Sequence, residues 1–102
     1  MPLTIKRTAG ARSVTLQLQG DLDPATVPAL TEALGSIPAN YGRLILDLSK
    51  LAFIDSTGVR ALVRGKEELT EHGVKVDLFD VSRQAEKVLQ LLGLDGLESR
   101  GR

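Results

Sequence analysis

The chain has 102 residues, of which 42% are hydrophobic and only 3% aromatic, with 13 basic and 13 acidic side chains, one histidine and no cysteine. The length suits one domain, and the balanced charge argues against a nucleic-acid-binding surface. Without cysteine there are no disulfides or thiolate metal sites, and no segment approaches the roughly 20 apolar residues of a membrane span. We therefore expect one cytoplasmic domain over residues 1–102, with no metal, cofactor, nucleic acid or membrane insertion.

The first part of the chain predicts a β-hairpin. Apolar and polar residues alternate from Val14 to Leu18, which is typical of a strand buried on one face. Leu3 to Arg7 can pair with this strand across the short, glycine-bearing connection from Ala9 to Arg12. The chain is then expected to turn at Gly20.

A helix and a central strand follow. Apolar residues recur at helical spacing from Val27 to Ile37, Thr26 is a suitable N-cap, and Pro28 is tolerated in a first helical turn. Leu44 to Leu48 is a nearly continuous apolar run, which predicts a strand covered on both faces. These two elements place a strand at the centre of the expected sheet.

The remaining elements complete an alternating pattern. Thr57 to Glu71 predicts an amphipathic helix that ends at Gly73, Val74 to Phe79 a strand, and Ser82 to Gly93 a capped third helix. The tail from Leu94 to Arg102 is expected to be poorly ordered. The order β-β-α-β-α-β-α predicts an α/β fold with a mixed sheet of four strands.

The connection between the central strand and the second helix is the most unusual segment, with small and polar residues directly after an apolar pair from Phe53 to Gly58. Loops that lead from strands into helices form the usual functional edge of α/β sheets, because amide groups at the helix start can meet ligands. Asp55 or Ser56 could equally be no more than the N-cap of the helix. The residues alone leave a functional and a structural role open.

Four segments resemble the STAS domains, and specifically the bacterial anti-sigma factor antagonists. The loop from Ile54 to Val59 is similar to the phosphorylation loop of that family, with Val59 where leucine is usual. The other matching segments are Gly20 to Asp23 with Thr26, Leu44 to Leu48, and Val88 to Leu94. The loop in its strand-to-helix context is the specific part of the match, and the resemblance covers nearly the whole chain.

The resemblance implies a partner-switching protein rather than an enzyme. When unphosphorylated it would bind an anti-sigma factor that is also a serine kinase and so free a sigma factor. Phosphorylation of Ser56 would end binding, and a phosphatase would reset the protein. An alternative is a STAS adaptor subunit of a transport or stress-signalling complex. We expect a monomer whose partner-binding residues are Asp21, Asp23, Asp55, Ser56, Thr57, Gly58 and Arg60.

Enzymatic interpretations lack the residues they need. A nucleophilic Ser56 would require His72, but the intervening helix would separate the two by about 24 Å. Gly65-Lys66 is followed by Glu67 rather than by the Ser or Thr of a phosphate-binding loop. An aspartyl-phosphate receiver could use Asp47, yet no lysine partner is evident after the last strand.

Overall fold

The computed structural model describes residues 2–38, 40–79 and 99–100. These residues form a mixed β-sheet and two helices. The strands follow one another in the order β1-β2-β3-β4-β5, with β1 antiparallel to β2 and the other neighbours parallel. The elements are β1 (Thr4–Ala9), β2 (Ser13–Leu22), α1 (Val27–Gly35), β3 (Arg43–Ile54), α2 (Ser56–Glu71), β4 (Lys75–Phe79) and β5 (Ser99–Arg100).

This arrangement confirms the predicted α/β fold with a mixed sheet of four strands. The two residues of β5 add a short fifth strand beyond β4, which the sequence did not predict. The rest of the tail from Leu94 to Arg102 lies outside the described residues, as does the predicted third helix from Ser82 to Gly93.

The hairpin forms as the alternation predicted. β1 and β2 pair without interruption from Thr4 opposite Gln19 to Ala9 opposite Val14. The predicted turn at Gly20 is wrong, because β2 continues to Leu22. Gly20 has a φ of 109°, and a Cβ there would overlap the carbonyl oxygen of Pro2. The glycine therefore permits a close approach of the N-terminal segment within a continuing strand.

Both helices cover the same face of the sheet, since successive right-handed crossovers that advance in one direction place their helices on one side. Among the described residues, the buried hydrophobic side chains are all aliphatic, as expected from the scarcity of aromatic residues. The largest fully buried side chains are Val14, Leu16, Leu18, Leu22, Leu30, Leu44, Leu46, Leu48, Val59, Leu62 and Val74.

The opposite face of the sheet is more polar, and the central strand is less completely covered there than under the helices. Ile45 and Asp47 of β3 are only half-buried there, whereas the alternate leucines are buried under the helices. Arg43 binds the buried carboxylate of Asp77 on the neighbouring strand, with its Nε and Nη2 each 2.6 Å from Oδ2. Residues 44–48 thus alternate between the two faces of the sheet, although the sequence reads as an apolar run, because the apolar Ile45 lies on the more polar face.

β3 is much longer than predicted. The apolar run suggested residues 44–48, but the strand extends from Arg43 to Ile54. Its pairing with β2 shifts register twice, and β3 has one more residue than β2 at each shift. After Leu48 the next buried residues are Leu51 and Ile54, three positions apart instead of two. A prediction from alternating apolar residues therefore ends the strand at the first register shift.

The helix boundaries lie close to those predicted. α1 begins after Thr26, with Pro28 in its first turn, but it ends at Gly35, two residues early, and Ile37 remains buried beyond it. α2 begins one residue early, and Gly73 follows it with a φ of 86°. Neither helix in the described part of the chain is long and apolar enough to cross a membrane.

Candidate functional site

The carboxyl ends of the parallel strands β2 and β3 meet at one end of the sheet. Asp21 lies opposite Phe53 and Leu22 opposite Ile54. The amide of Asp55 donates a hydrogen bond to the carbonyl oxygen of Leu22 at 3.3 Å. The structure therefore brings the predicted residues 21–23 and 55–58 together on the edge where α/β folds usually place their sites.

Asp55 alone connects β3 to α2. Its backbone is extended, with φ −109° and ψ −176°, and its Oδ1 accepts a hydrogen bond from the amide of Gly58 at 2.9 Å. Its own carbonyl oxygen accepts the first helical hydrogen bond, from Val59 at 3.0 Å. Asp55 is therefore the N-cap of α2. Of the two residues considered as the N-cap of this helix, Asp55 has the capping role and Ser56 does not.

Ser56 and Thr57 are the first two residues of α2, and both are exposed. The Ser56 hydroxyl forms no hydrogen bond within the described residues. Amide groups of a first helical turn lack helical partners, and the helix dipole favours negative charge beside them. A second protein can therefore reach this hydroxyl at a position where an anionic modification is electrostatically tolerated.

Gly58 sits directly against the end of β2. A Cβ at this position would lie 2.7 Å from the carbonyl oxygen of Leu22, 2.8 Å from its Cγ and 3.0 Å from Cγ1 of Ile54. The first of these contacts is with backbone, which cannot move aside without displacing the strand. Only glycine lets α2 start this close to the sheet, and the close approach is to β2.

The connection between β2 and α1 is held by its own polar side chains. Oδ1 of Asp23 accepts hydrogen bonds from the amides of Ala25, at 3.0 Å, and Thr26, at 3.1 Å. The Thr26 hydroxyl donates to the carbonyl oxygen of Asp21 at 2.8 Å and accepts from the amide of Asp23 at 3.0 Å. Thr26 precedes α1 as predicted, but its side chain makes no capping hydrogen bond. Asp23 thus shapes the edge of the site through the loop it stabilises.

Phe53 is a candidate site residue that the sequence reasoning missed. It is 42% exposed and is the exposed large hydrophobic side chain of the described residues. The second register shift between β2 and β3 occurs beside it, opposite Asp21. A bulged strand re-aims its side chains. The signal that could have found it is the three-residue spacing of Leu51 and Ile54, which leaves Ala52 and Phe53 outside the core.

Arg60 lies one helical turn beyond Ser56 and is exposed. It forms no ion pair within the described residues. Together with Thr57 it lines a groove between α1 and α2. Arg60 thus adds a positive charge one helical turn from Ser56, beside the acidic residues Asp21, Asp23 and Asp55.

The described part of the chain does not bring together the residues of the catalytic arrangements considered above. Ser56 is the first residue of α2 and His72 its C-cap, so about 24 Å of helix separates them. Asp47 lies within β3, seven residues before the carboxyl end of that strand, and it accepts a hydrogen bond from Gln17 at 3.1 Å. No group of three or more His, Asp or Glu side chains within the described ranges could hold a metal ion.

Comparison with known proteins gives this arrangement a family. The family model described as "Mlab, STAS domain" matches residues 5–99. The chain belongs to the STAS domain family. The resemblance inferred from the loop and its flanking segments is therefore confirmed.

Several STAS relatives carry names that describe a function. The anti-sigma-F factor antagonist RsfB of Mycobacterium tuberculosis is 32% identical over 81 residues, which are 78% of this chain and 66% of that protein. The anti-sigma-B factor antagonist of Staphylococcus aureus is 26% identical over 98 residues, 95% of this chain and 91% of that one. The crystal structure of an anti-sigma factor antagonist from Mycobacterium paratuberculosis matches with a TM-score of 0.78 and 26% identity, over 92% of this chain and 80% of that one.

Proposed function

We propose that this STAS domain is a cytoplasmic anti-sigma factor antagonist that acts by partner switching. Unphosphorylated, it binds an anti-sigma factor with serine kinase activity, and the sigma factor is released. Phosphorylation of Ser56 by that kinase ends the binding, and a phosphatase restores it. The observation that carries the proposal is the Ser56 hydroxyl, exposed and without a hydrogen bond among the described residues at the first position of α2. The names of the relatives support the choice of partner.

Ser56 is a better phosphate acceptor than Thr57, although both are exposed. Thr57 lines the groove between the helices, on the side of α2 that faces α1, whereas Ser56 does not. A kinase must place the acceptor hydroxyl in line with the γ-phosphorus of its ATP. The oxygen of Ser56 attacks that phosphorus, ADP leaves, and the hydroxyl proton passes to a base of the kinase.

The phosphate leaves the fold intact and changes the binding surface. It adds about −1.5 to −2 charge at pH 7, and at a helix N-terminus that charge meets a favourable dipole. Asp21, Asp23 and Asp55 already make this edge acidic. A partner surface that packs against a neutral hydroxyl would have to desolvate a dianion, and its shape would no longer match. Arg60, one turn away, can partly neutralise the phosphate within the free protein.

Phe53 supplies the apolar part of the proposed interface. A few buried aromatic or arginine side chains usually provide most of the energy of an interface, and Phe53 stands exposed three residues before Ser56. We expect Phe53→Ala to weaken kinase binding at least tenfold, which corresponds to about 1.4 kcal/mol. Since the phenyl ring is outside the core, the melting temperature should change little.

The direct test is incubation with the anti-sigma factor kinase and ATP, followed by mass spectrometry of the intact protein and mapping of the modified residue. Ser56→Ala should bind the kinase and remain unmodified. Ser56→Asp should bind at least tenfold more weakly with an unchanged circular dichroism spectrum. Thr57→Ala is the matched control and should be phosphorylated like the wild type. A phosphate on Thr57, or one on Ser56 that leaves the affinity unchanged, contradicts the mechanism.

The partner itself separates this function from the adaptor alternative. Affinity purification from the source cell should recover a small kinase-type anti-sigma factor. Recovery of a transport ATPase would instead favour a STAS adaptor subunit. We further propose that the protein binds as a monomer and is not an enzyme. Light scattering at low micromolar concentration checks the first point, and a stable obligate dimer would contradict it.

A further inference from the structure

A groove of about 620 Å³ runs between α1 and α2, and it begins at Thr57, next to Ser56, which does not line it. The helices touch where Gly65 of α2 meets Leu34 of α1, since a Cβ on Gly65 would overlap the Leu34 side chain. The groove extends along this contact from Thr57 to His72. Its volume falls within the roughly 300–1,000 Å³ typical of small-molecule sites, which is too little for a partner helix about 10 Å wide.

The floor of the groove is aliphatic. It is formed by Val27, Leu34, Ile37, Ala61, Leu69 and Val74. None of the described residues that line it is Phe, Tyr or Trp, and the one ring among them, the imidazole of His72, lies at the opposite end from Arg60, so the groove offers a flat ligand little surface on which to stack. An extended aliphatic chain is the chemistry that matches such a floor, because it can bury apolar surface without requiring polar partners.

Positive charge is concentrated at one end of the groove. Arg60 and Arg64 lie one turn apart on α2, where side chains are neighbours, and both line the groove. Neither forms an ion pair within the described residues, so the repulsion between them is not compensated there. Arginine forks match the geometry of a carboxylate. Glu68, one turn further on, would repel an anion and so directs a negative headgroup to the arginine end.

We propose that this groove binds a free single-chain amphiphile with a carboxylate headgroup. The carboxylate lies between Arg60 and Arg64, and the chain lies along the floor towards Leu69 and Val74. From Arg64 to His72 the helix rises about 12 Å, which is room for a chain of medium length. This inference does not depend on phosphorylation of Ser56, and either can fail without the other.

The test uses decanoate as the probe and the whole 102-residue chain. Titration followed by ¹⁵N NMR should give saturable shifts at Ala61, Arg64 and Gly65, and calorimetry should give one site per chain below the micellar concentration. Arg64→Ala should weaken binding at least tenfold, and Arg64→Lys should recover part of the loss. Arg12→Ala is the matched control, because Arg12 is exposed in the connection between β1 and β2, and it should bind like the wild type.

A second variant blocks the groove sterically. Gly35 lines the groove, and a Cβ there meets nothing within 4 Å, so Gly35→Phe can fold and place its ring in the open space. It should abolish decanoate binding while the spectrum stays folded. Decylamine, with the same chain and the opposite charge, should not bind. Equal binding of decanoate and decylamine, or unchanged affinity in both Arg64→Ala and Gly35→Phe, overturns the proposal.

Discussion

The two connections that lead from strands into helices contain similar residues, but these residues have different roles. In each, an aspartate accepts hydrogen bonds from backbone amides, Asp23 between β2 and α1 and Asp55 between β3 and α2. A hydroxyl residue lies beyond each aspartate, Thr26 three residues after Asp23 and Ser56 directly after Asp55. The Thr26 hydroxyl is bound on both sides by the loop, whereas the Ser56 hydroxyl is exposed and forms no hydrogen bond within the described residues. Of the two hydroxyl groups, only that of the second connection is therefore left exposed.

The length of the connection accounts for this difference. Four residues, 23–26, lie between β2 and α1, and they curl so that Thr26 meets the carbonyl oxygen of Asp21. A single residue, Asp55, lies between β3 and α2. With no room to curl, the chain enters the helix at once, and Gly58 takes the close contact with β2. The side chains of Ser56 and Thr57 then point away from the strand end, as their exposure shows.

The largest expected effect comes from removing the close contact at Gly58. In Gly58→Ala the new methyl group meets the backbone of Leu22, which can yield only if β2 shifts. We expect the free energy of unfolding to fall by about 1–3 kcal/mol, as for other overpacked sites. Urea denaturation measures this loss.

Gly35→Ala is the matched control for that substitution. A Cβ on Gly35 meets nothing within 4 Å, and alanine favours a helix, so stability should be unchanged or rise by up to about 1 kcal/mol. If both variants have the same stability, close packing at the short connection is not what exposes Ser56.

A smaller effect should separate the two hydroxyl groups directly. Thr26→Val keeps the shape of the side chain but removes two hydrogen bonds of the longer connection. We expect it to lower the free energy of unfolding by about 1–2 kcal/mol, whereas Ser56→Ala should change it by no more than about 0.5 kcal/mol. Thermal denaturation of both variants tests this. A comparable loss of stability in Ser56→Ala would mean that the Ser56 hydroxyl stabilises the fold. This result would contradict the proposed difference between the Thr26 and Ser56 hydroxyl groups.

The smallest effect concerns acid stability and a residue outside both connections. Burial acts to raise the pKa of Asp47, but hydrogen bonds from the hydroxyl and amide of Ser49 and from Gln17, with the charge of Lys50, outweigh it, and the net pKa lies below 3.8. The folded protein thus keeps this carboxyl ionised to a lower pH than the unfolded chain does. Its contribution is complete above about pH 4 and is lost as the pH falls through the lowered native pKa.

As the pH falls below about 4, the free energy of unfolding of Asp47→Asn should therefore decrease less steeply than that of the wild type. The difference in free energy of unfolding between Thr26→Val and Ser56→Ala should remain over the same pH range. Urea denaturation at a series of pH values measures both. Parallel curves for Asp47→Asn and the wild type would show that Asp47 makes no such contribution.

In the described part of the chain, local patterns in the sequence predicted elements where the periodicity was regular. The alternation from Val14 to Leu18 gave the position of β2, and Thr26 with Pro28 marked the start of α1. The same reasoning failed where pairing between strands became irregular. β3 was cut at Leu48, because the register shifts against β2 interrupt the alternation, and these shifts depend on a partner strand roughly thirty residues away in the chain. Phe53 was missed for that reason.

The sequence by itself determined the order of the elements from β1 to β4, the family resemblance and the position of Ser56 after a strand and at the start of a helix, because short-range spacing and a local motif carry these. Only the tertiary structure decided that Asp55 is the cap, that the Thr26 hydroxyl is bound and that Gly58 packs against Leu22. It also formed the groove between α1 and α2. Contacts of this kind join residues that are far apart in the chain or depend on how a loop curls, and neither periodicity nor propensity records which group a side chain meets in space.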